Sequence, residues 1–365
     1  MRRLITTILL LLLAGTFAAQ AQDAQPTATI GPTLTSILSR REIICGVNQS
    51  VFGFGYLDPN TGEVRGFDVE FCRALATALF GDPAAAQIPI YPDLQRAKDD
   101  LASGQVDILF RSLVLNAADD ATGFEFGPPN FYNGQTLMFR SDSAVTDWEG
   151  LDGATICVTP GSTAQNTLPY AASSRGASVQ LLEQPTADAA MEALTNGQCD
   201  AQSGDMVLLT GLQQRADDPG AYRVWQQPDQ IYTREPFAPL LRAGDDQWSN
   251  IVRWTLLGLI QAEQLGISSE NINSLLRQSD GQTTEDDATY RSRVGPDVAR
   301  FLDRSLGIGG QLNLEPDFMQ AVIRAVGNYG EIYERYLGAN ADLPIERGLN
   351  NLWQNGGLLF APDWR

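Results

Sequence analysis

The chain has 365 residues, no histidine, and a formal net charge of −19 from 25 Lys+Arg against 44 Asp+Glu. Without imidazole there is no Ser-His-Asp or Cys-His nucleophile and no histidine-ligated zinc, and the acidic balance argues against a phosphate-neutralising nucleic-acid binder. Apolar residues make up 43% and aromatic residues 8%, which excludes a low-hydrophobicity disordered chain; the length allows two compact units or one large one.

Residues 1–21 open with Met1-Arg2-Arg3, continue as an apolar run over 4–13 and end in Ala19-Gln20-Ala21. A basic start, a short apolar stretch and an A-x-A site form a secretory signal peptide, cleaved near Ala21. The run is short of the roughly 20 residues that span a bilayer. The mature protein is therefore expected to be exported and soluble. Residues 22–35 read as a flexible lead-in. Export gives meaning to the four cysteines, Cys45, Cys72, Cys157 and Cys199. An even count in an oxidising compartment suggests disulfides, and spacing favours Cys45–Cys72 and Cys157–Cys199. Four buried free thiols are the alternative. No C-x-x-C pair is present, and neither a metal nor a cofactor is expected.

Strands and helices then alternate. A strand is predicted over 43–47, followed by the Gly- and aromatic-rich loop 52–56. Gly66-Phe67-Asp68 opens a helix with Asp68 as N-cap, and Phe71, Cys72, Leu75 and Leu79 share one face of it. Gly81 ends it in the left-handed conformation. Strands over 88–91 and 106–110 flank a helix at 94–103, and 136–140 is a further strand. A second set follows Trp148: strands at 155–158, 179–182 and 199–203, with helices from Thr163, over 186–196 and over 205–215. Extended segments at 222–225 and 239–242 precede a long helix at 246–265. Residues 280–297 are polar and acidic and read as a loop. Phe318, Val322, Val326, Ile332, Tyr333 and Tyr336 recur at helical spacing, as a core stripe does. The alternation implies sheets covered by helices.

Several strings resemble a known family. Gly66-Phe67-Asp68-Val69-Glu70-Phe71, Gly104-Gln105-Val106-Asp107-Ile108-Leu109 and Leu151-Asp152-Gly153-Ala154-Thr155-Ile156-Cys157-Val158 with Gly161-Ser162-Thr163 resemble the extracytoplasmic family 3 solute-binding proteins of polar amino-acid ABC transporters. Later strings, Arg242-Ala243-Gly244-Asp245-Asp246-Gln247-Trp248, Gly327-Asn328-Tyr329-Gly330-Glu331-Ile332 and Arg347-Gly348-Leu349-Asn350, are similar to the general L-amino-acid-binding subfamily. The resemblance implies an α/β, two-lobe periplasmic binding protein type II fold with a discontinuous first lobe. Lobe 1 would comprise 36–139 plus 238–365, the latter with a C-terminal helical extension, and lobe 2 residues 140–237, with hinge strands at the borders. It further implies a periplasmic location and a monomer that delivers a small polar solute, an amino acid or amine, to a membrane permease.

The resemblance also carries over site residues. Gly161, Ser162 and Thr163, between a strand and a helix start, offer backbone N–H groups and hydroxyls to a ligand carboxylate; the plainer role is helix capping. Asp205 is the candidate for the ligand amine, or a simple N-cap. Phe54 either lines the cleft or packs. The segment Arg111-Ser112-Leu113-Val114-Leu115-Asn116-Ala117-Ala118-Asp119-Asp120 departs from the family. Asp119 stands where relatives carry a carboxylate-binding Arg, and Leu113 and Val114 stand where they carry hydroxyls. A carboxylate there repels the ligand group that an Arg would hold. Arg111 is either the substitute cation or a packing ion, Asn116 belongs to the same stretch, and Asp119 or Asp120 would favour a cationic ligand. An uptake binding protein, not an enzyme, is the expected function. A sensor or degenerate protein on the same fold is the alternative, and a periplasmic cyclic-acid dehydratase a minor one.

Overall fold

A computed structural model of the chain describes residues 30–48, 50–58, 61–279, 283–304 and 308–364; the signal segment and most of the lead-in fall outside them. Two separate sheets organise the described chain. In the first, the strand order is Ala86–Gln87, Ile43–Asn48, Ile108–Phe110, Leu240–Arg242, Phe124–Phe126. Ile43–Asn48 runs parallel to both Ala86–Gln87 and Ile108–Phe110, and Ile90–Tyr91 pairs with its end. Leu240–Arg242 runs antiparallel to its two neighbours. The second sheet has the order Gln180–Glu183, Thr155–Val158, Ala201–Asp205, Gln135–Arg140, Tyr222–Val224. Thr155–Val158 is parallel to both of its neighbours, and Gln135–Arg140 is antiparallel to its own. Strands such as Ile156-Cys157-Val158 are buried, as expected where helices cover both faces of a parallel sheet.

The chain crosses between the sheets twice, on Phe131–Asn133 and on Glu235–Phe237. These two strands pair antiparallel, Glu235 opposite Asn133 and Phe237 opposite Phe131. Lobe 1 is therefore discontinuous, as the resemblance implied. Its first border lies earlier than Arg140, because Gln135–Arg140 pairs wholly within the second sheet. Gly134 sits at this changeover, where a Cβ would come within 2.5 Å of Ile231 Cγ2 and 2.7 Å of the Thr233 carbonyl oxygen. Only glycine lets the two crossing segments approach this closely.

The helix Phe67–Phe80 is buried along nearly its whole length, because the first sheet and helices Asp246–Gln264 and Phe318–Val326 all pack on it. Gly81 closes it with φ 71° and an N–H to the Thr77 carbonyl, as predicted. Its N-cap is Gly66 rather than Asp68. Asp68 is turned inward, where its carboxylate accepts from Ser112 and Asn130. The C-terminal extension is tied to the crossing: Asn350 Oδ1 accepts from the Tyr132 N–H and its Nδ2 donates to the Tyr132 carbonyl. Arg347, from the same string, pairs with Glu263 at 2.8 Å.

Three further expectations are corrected. The end of the lead-in is ordered: Pro32–Arg40 is a helix with Pro in its first turn, docked through the Leu34 N–H on Asp245. The polar stretch 280–297 holds a helix, Asp287–Val294, capped by Asp286, and the start of another, Pro296–Leu302; Asp caps and arginine–carboxylate contacts supply what apolar periodicity does not. Cys157 and Cys199 are bonded to each other, but Cys45 and Cys72 are free. They lie fully buried on the strand and on the helix above it, in mutual hydrogen-bond contact. Burial pushes both thiols up.

Candidate ligand-binding cleft

A cleft of about 710 Å³ opens between the lobes, beside the crossing strands. Its walls come from the carboxyl ends of the parallel strands, where open α/β sheets place their ligands.

On the first wall, Ile43–Asn48 ends at Asn48 and Ile108–Phe110 leads into Arg111. Asn48 Nδ2 donates to the Arg111 carbonyl at 2.8 Å. The Arg111 guanidinium donates to the carbonyls of Tyr91 and Pro92 at 3.0–3.2 Å. Burial draws its pKa down while Asp93 works against that. Ser112 adopts φ 51°, and its N–H and Oγ each donate to Asp68 at 2.8 Å. Burial pushes the Asp68 carboxyl up to about 6. Further out, Asp119 accepts from Lys98 at 2.5 Å and from Asn116 at 2.9 Å. Burial raises its pKa, but Lys98 and Asn116 outweigh burial and the net shift is downward. The carboxylates of this wall are thus engaged with protein groups, whereas Arg111 is held by neutral carbonyls.

The second wall and the crossing strands differ. Asp205 ends the strand Ala201–Asp205 and caps the helix Met206–Arg215, accepting from the Leu208 N–H at 2.9 Å. Asn133 Nδ2 donates to the same oxygen at 3.3 Å. Glu235, on the returning strand, accepts from Gln135 at 3.1 Å and from Thr233 at 3.0 Å. Burial raises both carboxyls, and the charge of Asp205 adds to the effect on Glu235. Among the described residues, neither carboxylate has a cationic partner. Aliphatic and aromatic groups complete the lining, among them Val51, Phe52, Leu113 and Leu208.

The model of the bacterial extracellular solute-binding proteins, family 3, matches residues 43–270. The chain belongs to this family. It is 34% identical over 366 residues to the general L-amino acid-binding periplasmic protein AapJ of Rhizobium johnstonii, covering 97% of this chain and 99% of that one. It is 32% identical over 340 residues to the glutamate/glutamine/aspartate/asparagine-binding protein BztA of Rhodobacter capsulatus, with 93% and 95% covered. Among solved structures, an ABC transporter periplasmic binding protein from Brucella ovis with glutathione bound superposes with a TM-score of 0.72 at 32% identity, over 92% of this chain and 100% of that one.

In this solute-binding protein the cleft brings together Asp205, Arg111, Asn116 and Asp119, four of the residues singled out from sequence. Gly161, Ser162 and Thr163 do not line it. Ser162 caps the helix Thr163–Ser173 through the Gln165 N–H, and the Gly161 N–H donates to the Gln165 side chain. Because Thr155–Val158 is parallel to Ala201–Asp205, this turn follows the same sheet edge as Asp205, one strand away. Of the two roles open to Phe54, packing is the one the structure has: it is fully buried, edge-on to Phe67, Phe131 and Phe237, and does not line the cleft. The aromatic residue exposed at the cleft is Phe52, 38% accessible. Sequence reasoning missed Lys98, Asn133 and Glu235. Lys98 reads as one solvated charge on a polar helix. Asn133 and Glu235 acquire meaning only from the strand pairing that places them opposite each other.

Proposed function

We propose that this protein captures an amino acid or a small peptide-like solute for an ABC importer, by closing its two lobes around the solute. The single observation that carries this reading is the cleft beside the crossing strands, lined by Asp205, whose carboxylate has no ion-pair partner among the described residues. Asp205 receives the solute's amine. Arg111, fixed by carbonyls alone, supplies the cation for a carboxylate. Gly161-Ser162-Thr163, on the same sheet edge as Asp205, offers N–H groups to that carboxylate as the lobes close. The names of the relatives support an amino-acid-derived solute, and the glutathione bound in the Brucella ovis protein supports one larger than a free amino acid. Asp119 adds no cationic preference, because Lys98 neutralises it.

The reading is of a monomeric binder that performs no chemistry, exported by cleavage near Ala21 and delivering to a permease. Thermal-shift screening of the mature protein against the twenty L-amino acids and glutathione tests it. A ligand at about 100 times its dissociation constant adds about 2.7 kcal/mol to stability, so at least one compound should raise the melting temperature. A flat response to every compound would refute the reading. N-terminal sequencing of the exported protein should begin near Gln22.

A further inference from the structure

Ligand amines carry three N–H donors when protonated, and Asp205 alone does not satisfy three. The first-lobe residues Leu113 and Val114 line the cleft with apolar side chains, so side-chain acceptors for the amine are not supplied there.

They are present on the crossing strands. Asn133 is 2% exposed and lines the cleft. Its Nδ2 faces Asp205; a carboxylate only accepts, so this orientation of the amide is fixed by its neighbour. The Asn133 Oδ1 is then left buried with no hydrogen-bond partner. An orphaned buried acceptor of this kind costs about 1–3 kcal/mol unless something fills it. Directly across the strand pair stands Glu235, also lining the cleft. Gln135 and Thr233 orient it by donating to its oxygens, and it has no ion-pair partner among the described residues.

From this we infer that Glu235 and Asn133, together with Asp205, form the binding site for a primary ammonium group of the solute, located at the hinge rather than on the first lobe. The inference rests on the proposed capture of an amino-group solute and adds where its amine is read. Asp205 comes from the second lobe, Asn133 from the outgoing strand and Glu235 from the returning one. One ammonium therefore ties both crossing strands to the second lobe. Three acceptors meet three donors, and the orphaned amide oxygen gains its partner. A solute whose amine is acylated has neither the charge nor the donors for the site.

Calorimetry on the full mature protein tests this with L-glutamine, glutathione and the N-acetylated form of each, on wild type, Glu235→Gln and Asn133→Leu. Thermal melts without ligand confirm that each variant folds. We expect wild type to bind at least one of the two free-amine probes, and N-acetylation of that probe to weaken binding by about tenfold or more. Glu235→Gln, which keeps the shape and the contact to Thr233, should also lose about tenfold or more, and Asn133→Leu a comparable factor. Free-amine binding that stays within about twofold in folded Glu235→Gln or folded Asn133→Leu overturns the inference and leaves the capture reading standing. Equal affinity for the free and the acetylated probe also overturns the inference, and with it the assignment of the amine to Asp205, in an arm that needs no variant. Failure of wild type to bind either free-amine probe overturns the hinge site and counts against the capture reading itself.

Discussion

The two sides of the cleft hold similar numbers of charged groups and use them differently. On the first lobe, Asp119 is engaged by Lys98 and Asn116 and Asp68 by the strained Ser112, while Arg111 is positioned by two carbonyls that leave its charge unpaired among the described residues. On the second lobe and the hinge, Asp205 and Glu235 line the cleft with no ion-pair partner among the described residues, and the buried Asn133 Oδ1 has no hydrogen-bond partner. Polar groups already satisfied within the protein fix the shape of a wall, whereas an unpartnered polar group that also lines the cleft is open to a ligand. A reading from residue types alone weights Asp119 and Asp205 equally; their partners separate them.

The largest expected effect follows from that separation. Asp205→Ala should weaken binding of a free-amine solute by about 2–5 kcal/mol, the range for removing one partner of a buried charge pair. Asp119→Ala should leave the same affinity nearly unchanged. Calorimetry on both variants with one ligand breaks the comparison if the two effects are equal.

Next comes the buried support of the first wall. Asp68 is 1% exposed and has its carboxyl raised from 3.8 to about 6. A folded-state value above the unfolded one means that its contribution to stability is fully present below about pH 4 and is lost as the pH rises through about 6. The difference corresponds to about 3 kcal/mol. Asp68→Asn should remove that component, so the stability gap between variant and wild type should change sharply between pH 4 and 6 in denaturant melts. A gap constant with pH would mean that Asp68 titrates normally.

Gly134→Ala tests the hinge shared by both walls. The new Cβ meets Ile231 and Thr233 well inside van der Waals contact, and overpacking of this kind costs about 1–3 kcal/mol. Chemical denaturation should show that loss. Lys98→Met has the smallest expected effect, about 1 kcal/mol, because the pair is partly solvated at 18% and 20% side-chain exposure. If Lys98→Met instead abolished ligand binding, Lys98 would be a ligand contact and the first wall would not be self-satisfied.

Much of the architecture was legible in the sequence because apolar periodicity and caps encode local structure. Asp205 caps the helix that begins at its expected place, and Gly81 ends its helix as predicted. Failures occurred where long-range contacts decide. Asp68 has the residue type and position of an N-cap but is claimed by Ser112, 44 residues away. The run 136–140 looks the same in either lobe, and only pairing with 201–205 assigns it. Cys45 and Cys72 satisfy a spacing argument, yet both pack into a strand–helix core as thiols. In the site, Asp205 was legible from its place at a strand-to-helix junction. Glu235 and Asn133 were not, since their chemistry depends on a strand register that joins residues 102 apart in sequence.

The central claim is that the lobes close on a solute held at the crossing strands. Small-angle scattering of the mature protein, alone and saturated with whichever free-amine compound calorimetry shows to bind, tests it most directly. The account predicts a smaller radius of gyration in the saturated state, because the cleft of about 710 Å³ is enclosed as the lobes rotate about the Phe131–Asn133 and Glu235–Phe237 pair. An unchanged radius at full saturation would contradict it.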